Sequence, residues 1–263
     1  EALEELARAT IYLGDLSGAE NRARRALAIK NEILGPDDSA TLDARGILAS
    51  IFRYQGRYDR AEAAFREVLA GRRRLESPDL TRLTGDMLQV GDILRMAGGD
   101  LDEAEALYRE AITLLHDGSA RANQNFVWGL ASLGRLMELR GDLEEAEELL
   151  AQTVEIRRRT FGDFHPLVSG AMGEYAFFLN RIGRVEEAEA LFRRAVEIDL
   201  ETVGRNHTRH AGTLGGLAMV LMEAGRLSEA DSMMEESLRI RTNAQGRRIP
   251  IVAQGLAARA EIK

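Results

Sequence analysis

The sequence predicts an all-α solenoid of antiparallel helix pairs, with six repeats followed by one extra helix. The first observation is a string, glycine-x-apolar-x-x-alanine-acid, that recurs six times with its glycine at positions 14, 56, 99, 141, 183 and 225. The second is that apolar residues follow a helical spacing on both sides of each glycine. The third is a composition with only 4 prolines and abundant alanine, leucine, glutamate and arginine, which are strong helix formers.

Each copy of the string predicts two helices joined by a turn. The glycine suits the left-handed residue that ends a first helix, and the acid or serine after it favours the start of the second helix. The recurring alanine must be small because the two helices cross closely there. We predict repeat units at about 1–37, 38–78, 79–120, 121–163, 164–205 and 206–247, with a partial seventh at 248–263. All of 1–263 is expected to form a single domain with thirteen helices and no strand.

The order of small and large residues within a copy resembles the tetratricopeptide repeat (TPR). Leu48, Ala49 and Phe52 precede the turn glycine of the second copy, and Ala61 and Phe65 follow it at the positions of that repeat. The resemblance covers essentially the whole chain. It implies a right-handed superhelical solenoid whose first helices line a concave groove, and it implies binding of proteins or peptides.

The period of about forty-two residues resembles the kinesin-light-chain variety of this repeat. That variety has a lengthened second helix followed by a Gly-x-x-His-Pro turn, which matches GDFHP at 162–166. One departure is that the family usually carries an Asn-Asn pair midway along the first helix. No copy in this chain keeps that pair, so the kinesin mode of peptide binding is not implied.

Composition and motifs exclude several classes of function. The net charge of −8 argues against a nucleic-acid binder, and no apolar run is long enough to span a membrane. The chain has no cysteine and shows no leader peptide, so we predict a cytoplasmic location. His207 and His210 have a spacing that two metal ligands could use, but a third ligand is missing in the sequence. We therefore predict no metal, no cofactor and no enzymatic activity. The arginine runs 72–74 and 157–159 are interpreted as solvated helix ends.

Inward positions on the first helices give the candidate partner-binding groove. Its predicted residues are Arg53, Asp92, Arg95, Trp128, Arg135, Gly170, Gly173, Phe177, Asn180, Gly212, Gly215 and Met219. The N-terminal and middle part is charged, with Arg53, Arg95 and Arg135 at successive positions. The C-terminal part is apolar and unusually small.

Two features of this groove allow two interpretations each. A glycine inside a helix costs about 0.8–1 kcal/mol relative to alanine, so the four groove glycines call for a reason. They either admit the backbone of a ligand or allow tight packing between successive first helices. Trp128, the only tryptophan, is either a binding anchor or a core residue at the groove edge.

The leading hypothesis is a non-catalytic scaffold that binds a protein or peptide in its groove. The alternative is a sensor or regulatory arm of a larger signalling protein, such as a kinase, a nucleotide-switch ATPase or a caspase-like protease. A third possibility is a self-assembly module. The neighbouring open reading frame would distinguish the second hypothesis, and concentration-dependent light scattering would reveal the third.

Overall fold

The computed structural model describes residues 2–12, 14–116 and 123–245, and this part of the chain contains twelve α-helices and no strand. In chain order they are α1 (Ala2–Tyr12), α2 (Leu16–Leu34), α3 (Ser39–Tyr54), α4 (Tyr58–Arg74), α5 (Leu80–Ala97), α6 (Leu101–Leu114), α7 (Gln124–Arg140), α8 (Leu143–Phe161), α9 (Pro166–Arg181), α10 (Val185–Thr202), α11 (Thr208–Glu223) and α12 (Leu227–Gln245). The predicted all-α fold is confirmed. The predicted thirteenth helix, at 249–263, lies outside the described residues.

The chain divides into two compact units, residues 1–136 and residues 137–263. In the first unit the helices α1 to α6 pack in chain order, each on the next, and α1 also contacts α3. In the second unit α8 to α12 pack in the same way, and α9 also contacts α11. Contacts between first helices of adjacent repeats are therefore present in both units.

The recurring alanines lie where each second helix meets its neighbours. None of the six has any solvent exposure: Ala19, Ala61, Ala104, Ala146, Ala188 and Ala230. A larger side chain at such a position would overpack the interior. The observed burial agrees with the close helix crossing that the sequence predicts.

The turn glycines end the first helices in a left-handed conformation. Their φ angles lie between 71° and 87° at Gly14, Gly56, Gly98, Gly141, Gly183 and Gly225. In the third copy the left-handed residue is Gly98, and Gly99 is the one extra residue of that repeat. Since Gly98 already ends the helix, the insertion lengthens the turn and leaves both flanking helices intact.

The second helices begin in two ways that depend on the residue after the turn glycine. Where it is aspartate, the carboxylate can cap the helix, as Asp15 does for the backbone N–H of Gly18 at 2.8 Å. Where it is arginine, the guanidinium reaches back to a glutamate of the preceding repeat, 37 residues earlier. These inter-repeat bridges join Arg57 to Glu20, Arg184 to Glu147 and Arg226 to Glu189, at N···O distances of 3.0, 2.7 and 2.6 Å.

Candidate binding surfaces

In the first unit, Asp92 on α5 organises the predicted groove residues. Its Oδ2 accepts a hydrogen bond from the indole Nε1 of Trp128 at 2.9 Å. Its Oδ1 accepts from the hydroxyls of Tyr108 at 2.8 Å and Ser132 at 3.0 Å, and Arg95 Nη2 lies 3.6 Å away. We call these five residues the Asp92 cluster. The structure brings together three of the predicted groove residues, Asp92, Arg95 and Trp128, and it adds Tyr108 and Ser132.

The cluster explains the environment of the single tryptophan. Trp128 is half-buried, and its only hydrogen-bond donor is committed to Asp92. Burial, together with the nearby Asp92 charge, raises the pKa of Tyr108 above its usual range, so its hydroxyl remains a donor. The ring of Trp128 is therefore fixed from within the first unit.

The three predicted arginines do not form one continuous row of equivalent contacts. Arg135 donates to Ser132 at 2.9 Å and so reaches the edge of the Asp92 cluster. Arg53 has no ion pair among the described residues, and its guanidinium lies 4.7 Å from the ring centroid of Tyr54. Arg53 and Arg95 share one feature: each has a buried Nε without a hydrogen-bond partner in the described chain.

A cavity of about 290 Å³ lies beside this cluster, and its charged floor was missed at the sequence level. Arg72 is only 3% exposed, so the interpretation of the 72–74 run as a solvated helix end is wrong for this residue. Arg72 Nε donates to Asp86 Oδ2, and Arg72 Nη2 donates to Asp43 Oδ1 at 2.8 Å. The apolar stripe of α4, which contains Ala61 and Phe65, continues onto Arg72, and that spacing was the available signal.

We call this pocket the Asp86 cavity. Its wall includes Arg8, Asp43, Gly46, Ile47, Ser50, Phe65, Arg72, Thr81, Arg82, Gly85, Asp86, Gln89, Asn125 and Trp128. Burial raises the pKa of Asp86 to about 6, against the opposing effect of the Arg72 charge. The pKa of the Asp86 carboxyl is therefore closer to neutrality than that of an exposed aspartate.

In the second unit, the four predicted groove glycines lie inside helices, and the space around them differs. A methyl group would meet nothing within 4 Å at Gly212, and at Gly173 it would make ordinary contact with Phe192, at 3.6 Å. At Gly170 it would lie 3.1 Å from a guanidinium nitrogen of Arg209. At Gly215 it would lie 3.3 and 3.4 Å from the side chains of Arg241 and Ser237.

The helical glycine of this unit with the least space for a methyl group is Gly216, which is not among the predicted groove residues. A methyl group at Gly216 would lie 2.4 Å from Cε1 of Phe192, whose ring packs edge-on against Phe177 at 4.9 Å. Gly216 is therefore required for packing. Gly212, which is one of the four predicted groove glycines, instead faces open space.

The other predicted residues of this unit differ in burial. Phe177 is half-buried against Phe192, and Met219 is 46% exposed. Asn180 is only 7% exposed, and its Oδ1 has no hydrogen-bond partner among the described residues. Asn180 occupies the same repeat position as Arg53 and Arg95, counted from the turn glycine that follows each of them.

The two histidines whose spacing two metal ligands could use, His207 and His210, lie at the start of α11. His207 caps α11 by accepting from the backbone N–H of Arg209 at 3.1 Å. His210 is 4% exposed, and burial lowers its pKa despite the opposing charge of Asp199. No group of three or more possible metal-ligating side chains occurs in the described part of the chain. Within the same residues, no helix combines the length and apolarity of a membrane span.

These features define a class of protein, namely a helix-pair repeat array with side-chain variation on its first helices. The MalT-like TPR region model matches residues 5–198, and a further tetratricopeptide repeat model matches residues 167–243. The chain belongs to the tetratricopeptide repeat family, in its MalT-like form. The predicted family is confirmed, and this family is generally a non-catalytic scaffold that binds proteins or peptides.

Solved structures with the same fold come from distant proteins. BtubC (BKLC) from P. vanneervenii is 20% identical with a TM-score of 0.68, over 94% of this chain and 93% of that one. The apo quorum sensor NprR from B. thuringiensis is 12% identical with a TM-score of 0.70, over 98% and 68%. A signal transduction ATPase with a tetratricopeptide repeat sensor, from Pyrococcus horikoshii, is 16% identical with a TM-score of 0.65, over 99% and 38%.

The matching structures also include the TPR-like repeats of a putative kinesin light chain from Podospora anserina, the type that the repeat length resembles. It is 20% identical with a TM-score of 0.44, over 93% of this chain and 95% of that one. Among curated proteins, none matches the sequence significantly.

Proposed function

We propose that this repeat array is a non-catalytic scaffold that binds a protein or peptide segment along the inward faces of its first helices. One observation carries the proposal. Arg53, Arg95 and Asn180 occupy the same repeat position, and each has a buried polar atom without a partner among the described residues. Leaving such an atom unpaired costs about 1–3 kcal/mol, and its recurrence at one repeat position favours a bound chain as the missing partner.

The charge distribution in the first unit supports an acidic segment as the bound partner. The chain carries a net charge of −8, yet Arg53 has no ion pair within the described residues. Arg95 shares its nearest carboxylate, Asp92, with three hydrogen-bond donors. A carboxylate of the partner would be attracted to these guanidinium groups, which also present several donors in a planar array.

The test selects peptides from a random library on the wild-type protein and measures their affinities for variants. We expect Arg53→Ala and Arg95→Ala to weaken binding and to flatten its dependence on salt, because each removes one charge that salt would screen. Arg60→Ala is the matched control, since Arg60 is exposed on the second helix α4. Equal affinities for all three variants would place the binding site elsewhere.

A second candidate function is a sensor or regulatory arm of a larger signalling protein, working in the cytoplasm. Two of the similar structures favour it, because their descriptions name a quorum sensor and a tetratricopeptide repeat sensor of an ATPase. This role uses the same surface, so the peptide selection tests both functions at the level of binding. A catalytic or nucleotide-binding domain encoded next to residues 1–263, which we propose to form a single domain, would favour the regulatory role.

Mass that rises with concentration in light scattering would instead indicate self-assembly.

A further inference from the structure

We propose that the Asp86 cavity is a binding site for a primary ammonium group, supplied by a lysine side chain or by the free amino end of a polypeptide. The cavity belongs entirely to the first unit and is formed by side chains of five helices, from α1 to α7. Its volume of about 290 Å³ is ample for an aliphatic amine. The site is independent of the partner proposed above.

Two oxygen acceptors that line the cavity have no partner among the described residues. Asp86 Oδ2 is engaged by Arg72, whereas Asp86 Oδ1 has no partner among the described residues. Asn125 uses its Nδ2 to donate to Thr81 O at 2.6 Å and to Thr84 Oγ1 at 3.2 Å, which leaves its Oδ1 as a free acceptor. A ligand with several N–H donors complements these oxygens, and an ammonium group carries three such donors.

The buried charges on the floor also favour a cation. One buried guanidinium, that of Arg72, serves two carboxylates, Asp43 and Asp86. The other carboxylate oxygen of Asp43, Oδ2, is paired with Arg82 at 2.8 Å, and Arg82 itself is 47% exposed, so water screens its charge. Arg8, the remaining charged residue of the wall, is exposed on α1. Of the two carboxylates, Asp86 has only Arg72 as a direct partner in the described chain, and it shares that guanidinium with Asp43.

The wall next to Asp86 suits the same ligand. The indole N–H of Trp128 donates to Asp92, which does not line the cavity, so the ring offers carbon and π surface to the space inside. The face of an aromatic ring attracts a nearby cation through its π electrons. At Gly46, a methyl group would meet nothing within 4 Å, which leaves room for the alkyl stem of an amine.

The pH dependence of binding follows from the same groups. The carboxyl of Asp86 faces Arg72 from α4, Asp43 from α3 and Arg82 from its own helix, and its pKa in the free protein is about 6. An ammonium ligand stabilises the ionised form, so binding releases a proton from Asp86. Affinity should then rise as the pH increases from 5 to 7 and level off above that range.

The experiment uses the fluorescence of Trp128, the only tryptophan of the chain, to follow small probes. Lysine methylamide acetylated at Nα presents a side-chain ammonium, and alanine methylamide with a free amino group presents a chain-end ammonium. Norleucine methylamide acetylated at Nα is the uncharged control. We expect one or both amines to change the fluorescence with an affinity at least tenfold above that of the norleucine probe at pH 7.5. Whichever amine binds more tightly identifies the source of the group.

Variants of the protein test whether the amine binds in the Asp86 cavity or elsewhere. Asp86→Asn should weaken the better amine about tenfold or more and abolish the pH dependence. Asp59→Asn, at the other end of α4 and roughly 20 Å along the helix from Arg72, should leave affinity unchanged. Gly46→Leu should also block binding, and it keeps the charges intact if Asp86→Asn fails to fold.

Three outcomes would overturn the proposal: no saturable binding of either amine, equal binding of the norleucine probe, or unchanged affinity in both cavity variants. Preference for an acetyl-glutamate methylamide probe, with affinity rising toward low pH, would also overturn it. None of these results depends on Arg53 or on a peptide partner, so the failure of this proposal is distinguishable from failure of the scaffold proposal.

Discussion

The predicted inward positions of the first helices include charged and hydrogen-bonding side chains in residues 1–136, whereas those in residues 137–263 are mainly glycine, phenylalanine and methionine. Asp92 accepts hydrogen bonds from three side chains in the first unit. In the second unit the buried side-chain oxygen of Asn180 accepts none from the described residues. The same repeat framework thus joins several polar side chains through one carboxylate in the first unit and leaves open space at Gly212 in the second, while both units keep buried polar atoms without a partner among the described residues.

The largest expected effect concerns the polar surface. Asp92→Ala removes the acceptor for Tyr108, Trp128 and Ser132, and we expect it to destabilise the protein by about 2–4 kcal/mol. Denaturant unfolding measures this loss, and a change in native Trp128 fluorescence should accompany it. Asp59→Asn, an exposed carboxyl change in the same unit, is the control. A loss below about 0.5 kcal/mol for Asp92→Ala would show that water replaces the carboxylate and that the cluster adds little rigidity.

The next effect distinguishes two glycines four residues apart on α11. Gly216→Ala should cost about 1–3 kcal/mol, because its methyl group would lie 2.4 Å from the buried ring of Phe192. Gly212→Ala should instead stabilise the protein by about 0.5–1 kcal/mol, since its methyl group meets no atom within 4 Å and alanine favours the helix. Melting temperatures of the two variants measure the contrast. If both fall, the open space at Gly212 does not exist in solution and packing explains every glycine.

The two units should also respond to pH in opposite directions at one buried group each. The pKa of Asp86 is raised by burial, so its contribution to stability is present below about pH 4 and is lost as the pH rises through about 6. The pKa of His210 is lowered by burial, so its contribution is present above the ordinary histidine pKa and is lost as the pH falls below it.

The measurement is the free energy of unfolding between pH 4 and 8 for wild type, Asp86→Asn and His210→Phe. The wild-type advantage over Asp86→Asn should shrink from pH 4 to 6, and that over His210→Phe should grow from pH 5 to 7. Neither slope can exceed about 1.4 kcal/mol per pH unit for one group. The groups facing His210 are Asp199, Arg205 and Glu236, and they are unchanged in this comparison. Slopes of the same sign would contradict the assignment of these two groups.

The smallest expected effect is at Asn180. Asn180→Leu replaces a buried amide whose oxygen has no partner among the described residues by an apolar side chain of similar size. We expect stability to stay within about 1 kcal/mol of wild type or to rise. Affinity for a library-selected peptide that uses the second unit should fall in the same variant. A large loss of stability would mean that Asn180 is a structural residue, and its link with Arg53 and Arg95 would then be lost.

Local rules were enough to predict the framework from the sequence. The turn glycines and the recurring alanines are set by backbone conformation and by close packing, and both leave a signature in every repeat. The repeat register also places Arg95 and Trp128 among the predicted groove residues. That they share Asp92 could not be predicted, because hydrogen-bond partners depend on rotamers and on neighbouring helices.

The Asp86 cavity shows most clearly where sequence reasoning stopped. Arg72 stands at the head of an arginine run, and a charged residue near a helix end is usually solvated. Its burial depends on Asp43 and Asp86, which come from two other helices. A buried arginine needs such partners, and their convergence is a property of the folded array rather than of any single repeat.

The bridges between consecutive repeats have a mechanical consequence. Arg57, Arg184 and Arg226 each form an ion pair with a glutamate of the preceding repeat, and the arginine of each pair is 33–40% exposed. Such ion pairs contribute little to equilibrium stability and weaken in salt, whereas the alanine crossings within each helix pair are fully buried. When tension is applied along the chain, the contacts between consecutive repeats should therefore separate before the individual helix pairs unfold. High salt should lower the force for the first event and leave the second nearly unchanged.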